Sequence, residues 1–308
     1  MRILENEPLS KHTTFHIGGN ARYFICVKNE DELRQALDFV KEQKADHLII
    51  GGGSNLLVAD WGFDGVVIKI AFDEINIDGT RVTVGAGVPF ATLVEKTIKA
   101  DLCGLEKASG LPGTVGGAIY GDAGCFGWET RNNISYVKVL HKQDIHILDR
   151  NKCEFKYRSS VFKEKAGEYI ILEATFDLGE ITDKNRNEIK LAIIKCLDYR
   201  RVNQAVQSYC AGSFFQNVLL SELPLHKQKE FAEVARDGKI AAGYFIDQAG
   251  LKGKQIGGAQ VSMKHANFLI NANNATAEDV IMLASLVKQY VRREFNIQLK
   301  EEVQMVGF

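Results

Sequence analysis

The chain has 308 residues, 45% hydrophobic and 25% charged, the makeup of a folded globular protein rather than a disordered one, and at roughly 100–200 residues per domain the length suits two or three domains or one large α/β domain. With 38 Lys and Arg against 39 Asp and Glu, the formal charge is −1, which offers no general attraction to a polyanion, so nucleic acid is not an expected partner. No run of about 18 apolar residues is available to span a membrane, and Glu5 and Glu7 lie where a signal peptide needs apolar residues, so the expected location is the cytoplasm.

Along the chain, an apolar run at Ala21–Val27 predicts a strand. Asn29, with Glu32 three residues on, then reads as a helix cap before Leu33, Ala36, Leu37 and Val40. His47–Ile50 reads as a short strand ending in Gly51-Gly52-Gly53-Ser54-Asn55, and Val66–Ile70 resumes the β pattern. Arg81–Val84 and the turn Gly85-Ala86-Gly87 precede a helix begun by Pro89, with Phe90, Leu93, Val94 and Ile98 on one face. Strand-like runs follow at Tyr136–Leu140, Ile145–Leu148 and Tyr169–Phe176. Helical signals occupy Lys184–Tyr199 and Leu220–Ala235, and a last helix opens at Thr276, with Asp279 completing a weak capping box and Val280, Leu283, Ala284, Val287 and Val291 facing inward. Ile297–Phe308 is expected to return as a strand.

Between Gly104 and Gly127 lie eight glycines in 24 residues, where average usage gives about two. That density predicts a chain of turns with no packed helix, in which main-chain N–H groups approach a ligand closely. Neither common nucleotide loop fits. Leu56 and Phe90 occupy the third-glycine positions of the dinucleotide fingerprint, and the Gly-Lys pairs at Gly238 and Gly253 lack the following Ser or Thr of a P-loop. Two glycine-rich segments remain, Gly51–Asn55 and Gly110–Gly117, with hydroxyls at Ser54, Ser109 and Thr114. They read as tight turns or as a paired cradle for a diphosphate.

The six cysteines form no C-x-x-C pair and read as ordinary thiols. His12 and His16 are four apart, but Gly18-Gly19 argues against a helix that would present them together, and no metal is expected. Arg158 reads as a surface arginine on a strand or a functional cation. Ser213, between Gly212 and Phe214-Phe215, reads as a turn residue with aromatics packed behind it, and Glu301-Glu302 as a solvated pair.

These segments, taken in order, resemble the UDP-N-acetylenolpyruvoylglucosamine reductases, flavoenzymes of bacterial peptidoglycan precursor synthesis. The blocks are Thr14–Gly19, Gly51–Leu57, Ala108–Ala118, Tyr157–Ser160, Ala211–Phe215, Gly257–Ser262 with Lys264–Asn267, and Glu302-Val303. The resemblance implies an α+β protein with a vanillyl-alcohol-oxidase-type FAD-binding fold of two α/β subdomains, 1–70 and 71–195, and a substrate-binding domain at 196–295. Residues 296–308 would return to the first subdomain. It implies FAD held by Gly51, Gly52, Gly53, Ser54, Asn55, Ser109, Gly113, Thr114, Gly116, Gly117 and Gly121, where a Cβ at Gly116 or Gly117 would block the diphosphate. It further implies NADPH as co-substrate and catalysis by Arg158, Ser213 and Glu302. A UDP-sugar would be bound with the help of Tyr157, Arg201, Asn217, Lys264 and His265, in the shorter class of the family. The sequence does not fix the oligomeric state, and a monomer is favoured. This chain departs from the family pattern at Ala205, Gln216, Val218, Met263 and Asp122, the last standing where asparagine is common. The alternatives are a flavin oxidoreductase of the same fold with another substrate and a non-catalytic nucleotide-binding paralogue.

Overall fold

The computed structural model describes residues 1–205 and 207–308, and the chain divides into two compact units. The first comprises 1–7, 21–53 and 63–199. It holds a four-stranded sheet in the order β1 (Ile3–Pro8), β2 (Asn20–Val27), β5 (Phe63–Ile70), β3 (His47–Ile50), in which β2, β5 and β3 run parallel. The apolar strands match the sequence reading. The edge strand β1 was not legible, because Ile-Leu-Glu-Asn-Glu-Pro has no apolar alternation and its residues are largely exposed. Helix α1 (Glu30–Gln43) starts as expected, with the Asn29 side chain accepting the Glu32 N–H at 2.9 Å, and buries Leu33, Ala36 and Val40.

The second sheet of this unit is antiparallel: Asp144–Asp149, Ile134–His141, Tyr169–Asp177, β7 (Arg81–Gly85) and β6 (Ile75–Asp78). Helix α2 (Phe90–Lys99) follows Pro89 as predicted. The two sheets share one core, with Ile25, Val66 and Ile68 from the first and Val82, Val84, Val137 and Phe176 from the second. Phe90 meets both Trp128 and Phe176 edge-on. One expectation fails here. Inside the glycine-dense stretch lies a short helix, α3 (Val115–Tyr120), whose cap Thr114 accepts the Gly117 N–H at 3.4 Å. Val115 and Ile119 are fully buried and anchor this turn to the core, so tertiary packing overrides the low helix propensity of Gly116-Gly117.

The second unit comprises 8–20, 54–62 and 200–308; the division falls within the helix Arg186–Asn203. Its four-stranded antiparallel sheet runs Tyr209–Cys210, Leu269–Asn271, Ala259–Val261, Gln255–Ile256. The long helix Ala277–Phe295 begins with the anticipated capping box: Asp279 N–H donates to Thr276 Oγ1 at 3.0 Å and Thr276 N–H to Asp279 Oδ2 at 3.1 Å. All five residues predicted to face inward on it are buried. The expected returning strand exists as Gln304–Val306, parallel to β4 (Leu56–Val58). Among the described residues no helix is long and apolar enough to cross a membrane.

Candidate active site

In the first unit the two glycine segments touch. A Cβ at Gly51 would fall 2.3 Å from Thr114 Oγ1, and one at Gly52 would fall 3.0 Å from Gly113 Cα. Only glycines let the segments lie this close. Around the contact, the N–H groups of Val115 and Gly116 are used by the carbonyls of Val88 and Ala86, at 2.9 Å each. The N–H groups of Gly52, Gly53, Gly113 and Thr114 donate to no group among the described residues. Four unused main-chain donors lie at one junction, and an N–H group without an acceptor is costly wherever water is excluded, so an anion is a suitable partner for them. The residues present therefore fit a diphosphate.

The glycines do not all serve this end. The space of a Cβ at Gly116 is already filled by Ala86, 2.9 Å away, so internal packing demands that glycine, which corrects the expected reason. At Gly117 the nearest neighbour is Thr114 Oγ1 at 3.6 Å, and the position is open toward solvent. Gly121 closes α3 by donating to Gly117 O, and Ser109 Oγ donates to Glu106 O at 2.7 Å.

Arg158 also belongs to the first unit, and it is not on a strand. Lys156 and Ser159 exchange backbone hydrogen bonds of 3.0 Å in both directions, which places Tyr157 and Arg158 at the tip of a two-residue turn. Arg158 takes φ +57°, a left-handed conformation that costs a non-glycine residue roughly 1–2 kcal/mol. Its side chain lies over the Tyr157 ring at 5.2 Å. Arg158 Nη1 donates to the Asp122 carbonyl at 3.2 Å and Nη2 to the Gly124 carbonyl at 2.8 Å. A Cβ at Gly124 would sit 3.1 Å from Arg158 Nη1, so this glycine makes room for the guanidinium. The Asp122 side chain is fully buried. Desolvation pushes its carboxyl up to about 6, against the N–H bond and charge of Arg131; Glu129 raises it further and Arg158 lowers it.

In the second unit, Ser213 follows Gly212, whose φ of +75° makes the turn. The next residue holds the structure together. Phe214 N–H donates to Asn267 O at 2.8 Å, and Phe214 O accepts the Glu302 N–H at 2.8 Å. Ser213 and Glu302 are thereby strapped to one short piece of main chain. Asn55 Nδ2 donates to Glu302 O at 3.0 Å and Asn55 O accepts the Gln304 N–H at 2.9 Å, so Asn55 braces the segment from Glu302 into the strand Gln304–Val306. Asn267 was missed as a site residue. It accepts the Phe215 N–H at 3.0 Å and donates to Phe215 O at 2.8 Å, fixing both sides of the loop after Ser213. Its signal was its place at the end of Lys264–Asn267.

The other residues expected at the substrate, Tyr157 apart, belong to this unit. Asn217 Oδ1 accepts the Ala242 N–H at 3.2 Å, and Arg201 and Lys264 are exposed. His265 Nδ1 accepts the Asn267 N–H at 3.2 Å, and burial, then Lys252, holds its imidazole below the usual value while Asp247 opposes. Gln216 uses its N–H on Lys300 O at 2.9 Å, and Met263 is exposed. His16 stacks on Tyr209 at 4.0 Å.

Residues 21–146 match the model of an FAD binding domain. Residues 204–306 match that of the C-terminal domain of UDP-N-acetylenolpyruvoylglucosamine reductase. The fold and these matches define an FAD-containing oxidoreductase of the expected α+β class. The chain is 38% identical over 309 residues to the UDP-N-acetylenolpyruvoylglucosamine reductase of Bacillus velezensis, covering 99% of this chain and 94% of that one. It is 40% identical over 308 residues to that of Anoxybacillus flavithermus, with the same coverage. The crystal structure of the reductase from Thermus caldophilus superposes with a TM-score of 0.77 at 28% identity, covering 99% and 98% of the two chains. The chain belongs to the UDP-N-acetylenolpyruvoylglucosamine reductase family.

Proposed function

We propose that this protein reduces the enolpyruvyl ether of UDP-N-acetylglucosamine to the lactyl ether, UDP-N-acetylmuramate, for peptidoglycan synthesis, with FAD as cofactor and NADPH as reductant. The observation that carries this reading is the strapping of Ser213 and Glu302 to one main-chain segment through Phe214. It joins a hydroxyl and a carboxyl in a chain that also provides unspent N–H donors for a diphosphate. Bound FAD supplies the hydride chemistry, from NADPH to C3 of the enolpyruvyl group. Gly52, Gly53, Gly113 and Thr114 would hold its diphosphate through their N–H groups, with Gly51, Ser54, Asn55, Ser109, Gly116, Gly117 and Gly121 completing the loops.

Hydride arriving at C3 drives negative charge through C2 into the substrate carboxylate, and stabilising that charge is the main electrostatic task of the site. Arg158 carries the matching positive charge. Glu302 serves as a protonated acid or as a partner orienting the arginine. Ser213 donates the proton to C2. Tyr157, Arg201, Asn217, Lys264 and His265 are assigned to the UDP-sugar. The division into subdomains at 1–70 and 71–195 and a substrate domain at 196–295 belongs to the same reading. So does a cytoplasmic monomer, in keeping with water-soluble nucleotide substrates. No feature of the site favours a different substrate or a non-catalytic role.

The test separates the two half-reactions. Ser213→Ala is expected to leave flavin reduction by NADPH largely intact and to slow reoxidation by the enolpyruvyl sugar by roughly 10²–10⁴-fold, the worth of a positioned general acid. Anaerobic stopped-flow absorbance measures both steps. Reoxidation at the unmodified rate would return Ser213 to a turn residue and make Tyr120 or Tyr157 the next acid to examine.

A further inference from the structure

The main chain from Asp122 to Gly124 is a rail with two sides. On one side the carbonyls of Asp122 and Gly124 take the two terminal nitrogens of the Arg158 fork, at 3.2 and 2.8 Å. The carbonyl between them, that of Ala123, instead accepts the N–H of Thr130 at 2.9 Å and its Oγ1 at 2.8 Å. What fixes the start of the rail is the Asp122 side chain. Its Oδ1 accepts the Arg131 N–H at 3.1 Å and its Oδ2 faces Arg131 Nη1 at 3.2 Å, while Arg131 Nη2 pairs with Glu129. Asp122 itself adopts φ +42°, a conformation that Asp and Asn tolerate better than other non-glycine residues.

One residue therefore ties the 129–131 segment, through its carboxylate, to the arginine, through its carbonyl. The guanidinium is planar and its hydrogen bonds are directional, so a small shift of the two carbonyls re-aims the whole fork. We propose that Asp122 is a positioning residue for Arg158: its carboxylate, anchored on Arg131, sets the rail on which the guanidinium is aimed at the substrate carboxylate. This inference rests on the assignment of Arg158 to that carboxylate. Arg131, Glu129 and Arg158 are the charged groups that face the Asp122 carboxyl, two positive and one negative. In mildly acidic solution the carboxyl takes up a proton. It then loses its charge against Arg131 while keeping an oxygen for the Arg131 N–H. Asp122→Asn reproduces that neutral state at every pH.

The experiment uses the full-length, FAD-loaded protein and two ligands that differ in the group Arg158 is assigned to hold. UDP-N-acetylmuramate carries the carboxylate, and UDP-N-acetylglucosamine lacks it. Calorimetric titration of Asp122→Ala is expected to show affinity for the first ligand falling roughly tenfold or more, the scale of a misaligned binding group, with the second unchanged. Arg158→Ala alone should lower the same ratio, and adding Asp122→Ala to it should lower the ratio no further. If Arg158→Ala leaves the ratio intact, the assignment of Arg158 is wrong. If Arg158→Ala lowers the ratio and Asp122→Ala does not, or if the two losses simply add, the positioning role is overturned. Should Asp122→Ala fail to fold, Asp122→Asn decides by its pH dependence. The carboxylate preference of the parent protein should decline below about pH 6 and that of Asp122→Asn should stay level across the same range. Identical profiles for the two proteins would overturn the proposal.

Discussion

Arg158 shows what a single residue can disclose only after folding. Its sequence neighbours suit a strand, yet it sits at a turn tip with φ +57°. Its two side-chain bonds to main-chain carbonyls, and the bond from Lys163 Nζ to its own carbonyl at 3.0 Å, offset that strain. Asp122 makes a stability prediction at the same scale. Its folded carboxyl titrates at about 6 against an ordinary 3.8, so the folded protein keeps a proton that the unfolded chain releases. The resulting stabilisation is full below about pH 4 and is lost as pH rises through about 6, an effect on the order of 3 kcal/mol. Thermal melts of the parent and Asp122→Asn between pH 4 and 7 should therefore show the variant gaining relative stability as pH rises; a constant difference would contradict it. Gly117 provides a third test. Gly117→Val meets no main chain of this unit, so the apo-protein should melt close to the parent while FAD affinity, read by fluorescence quenching, falls at least tenfold. Gly116→Val clashes with Ala86 and should lose stability first.

At the scale of elements, legibility followed burial and capping. α1 and the helix Ala277–Phe295 were readable because a cap and an apolar stripe agree. α3 was not, because its two glycines argue for turns and only the burial of Val115 and Ile119 makes the helix. β1 was not, because an exposed edge strand needs no apolar pattern. The glycine segments could be read from sequence as tight turns or as a diphosphate cradle, but which N–H groups stay unspent depends on Val88 and Ala86, far away in sequence. The start of Ala277–Phe295 carries a partner no local pattern reveals: Asp60 Oδ1 and Oδ2 accept the Ala277 and Glu278 N–H groups at 2.8 and 3.1 Å. Thr276→Ala and Asp60→Ala should each cost about 1 kcal/mol in urea denaturation. An unchanged midpoint for Asp60→Ala would mean that solvent replaces it.

At the scale of the whole molecule, the catalytic assignments draw on three remote stretches of chain, around residues 158, 213 and 302, which the resemblance could list but spacing could not relate. The second unit is itself assembled from three pieces of sequence. β4 is paired with residues 304–306, and Trp61 Nε1 donates to Gly307 O at 2.6 Å. For translation this has a plain meaning. Ribosomes deliver roughly 5–20 residues per second, so residues 56–58 wait on the order of ten seconds or more for the strand that completes them. Glu302 arrives with that strand. A nascent or prematurely terminated chain thus has no finished second unit and lacks the carboxyl proposed for the chemistry, and such fragments are exposed to proteolysis before that unit can close.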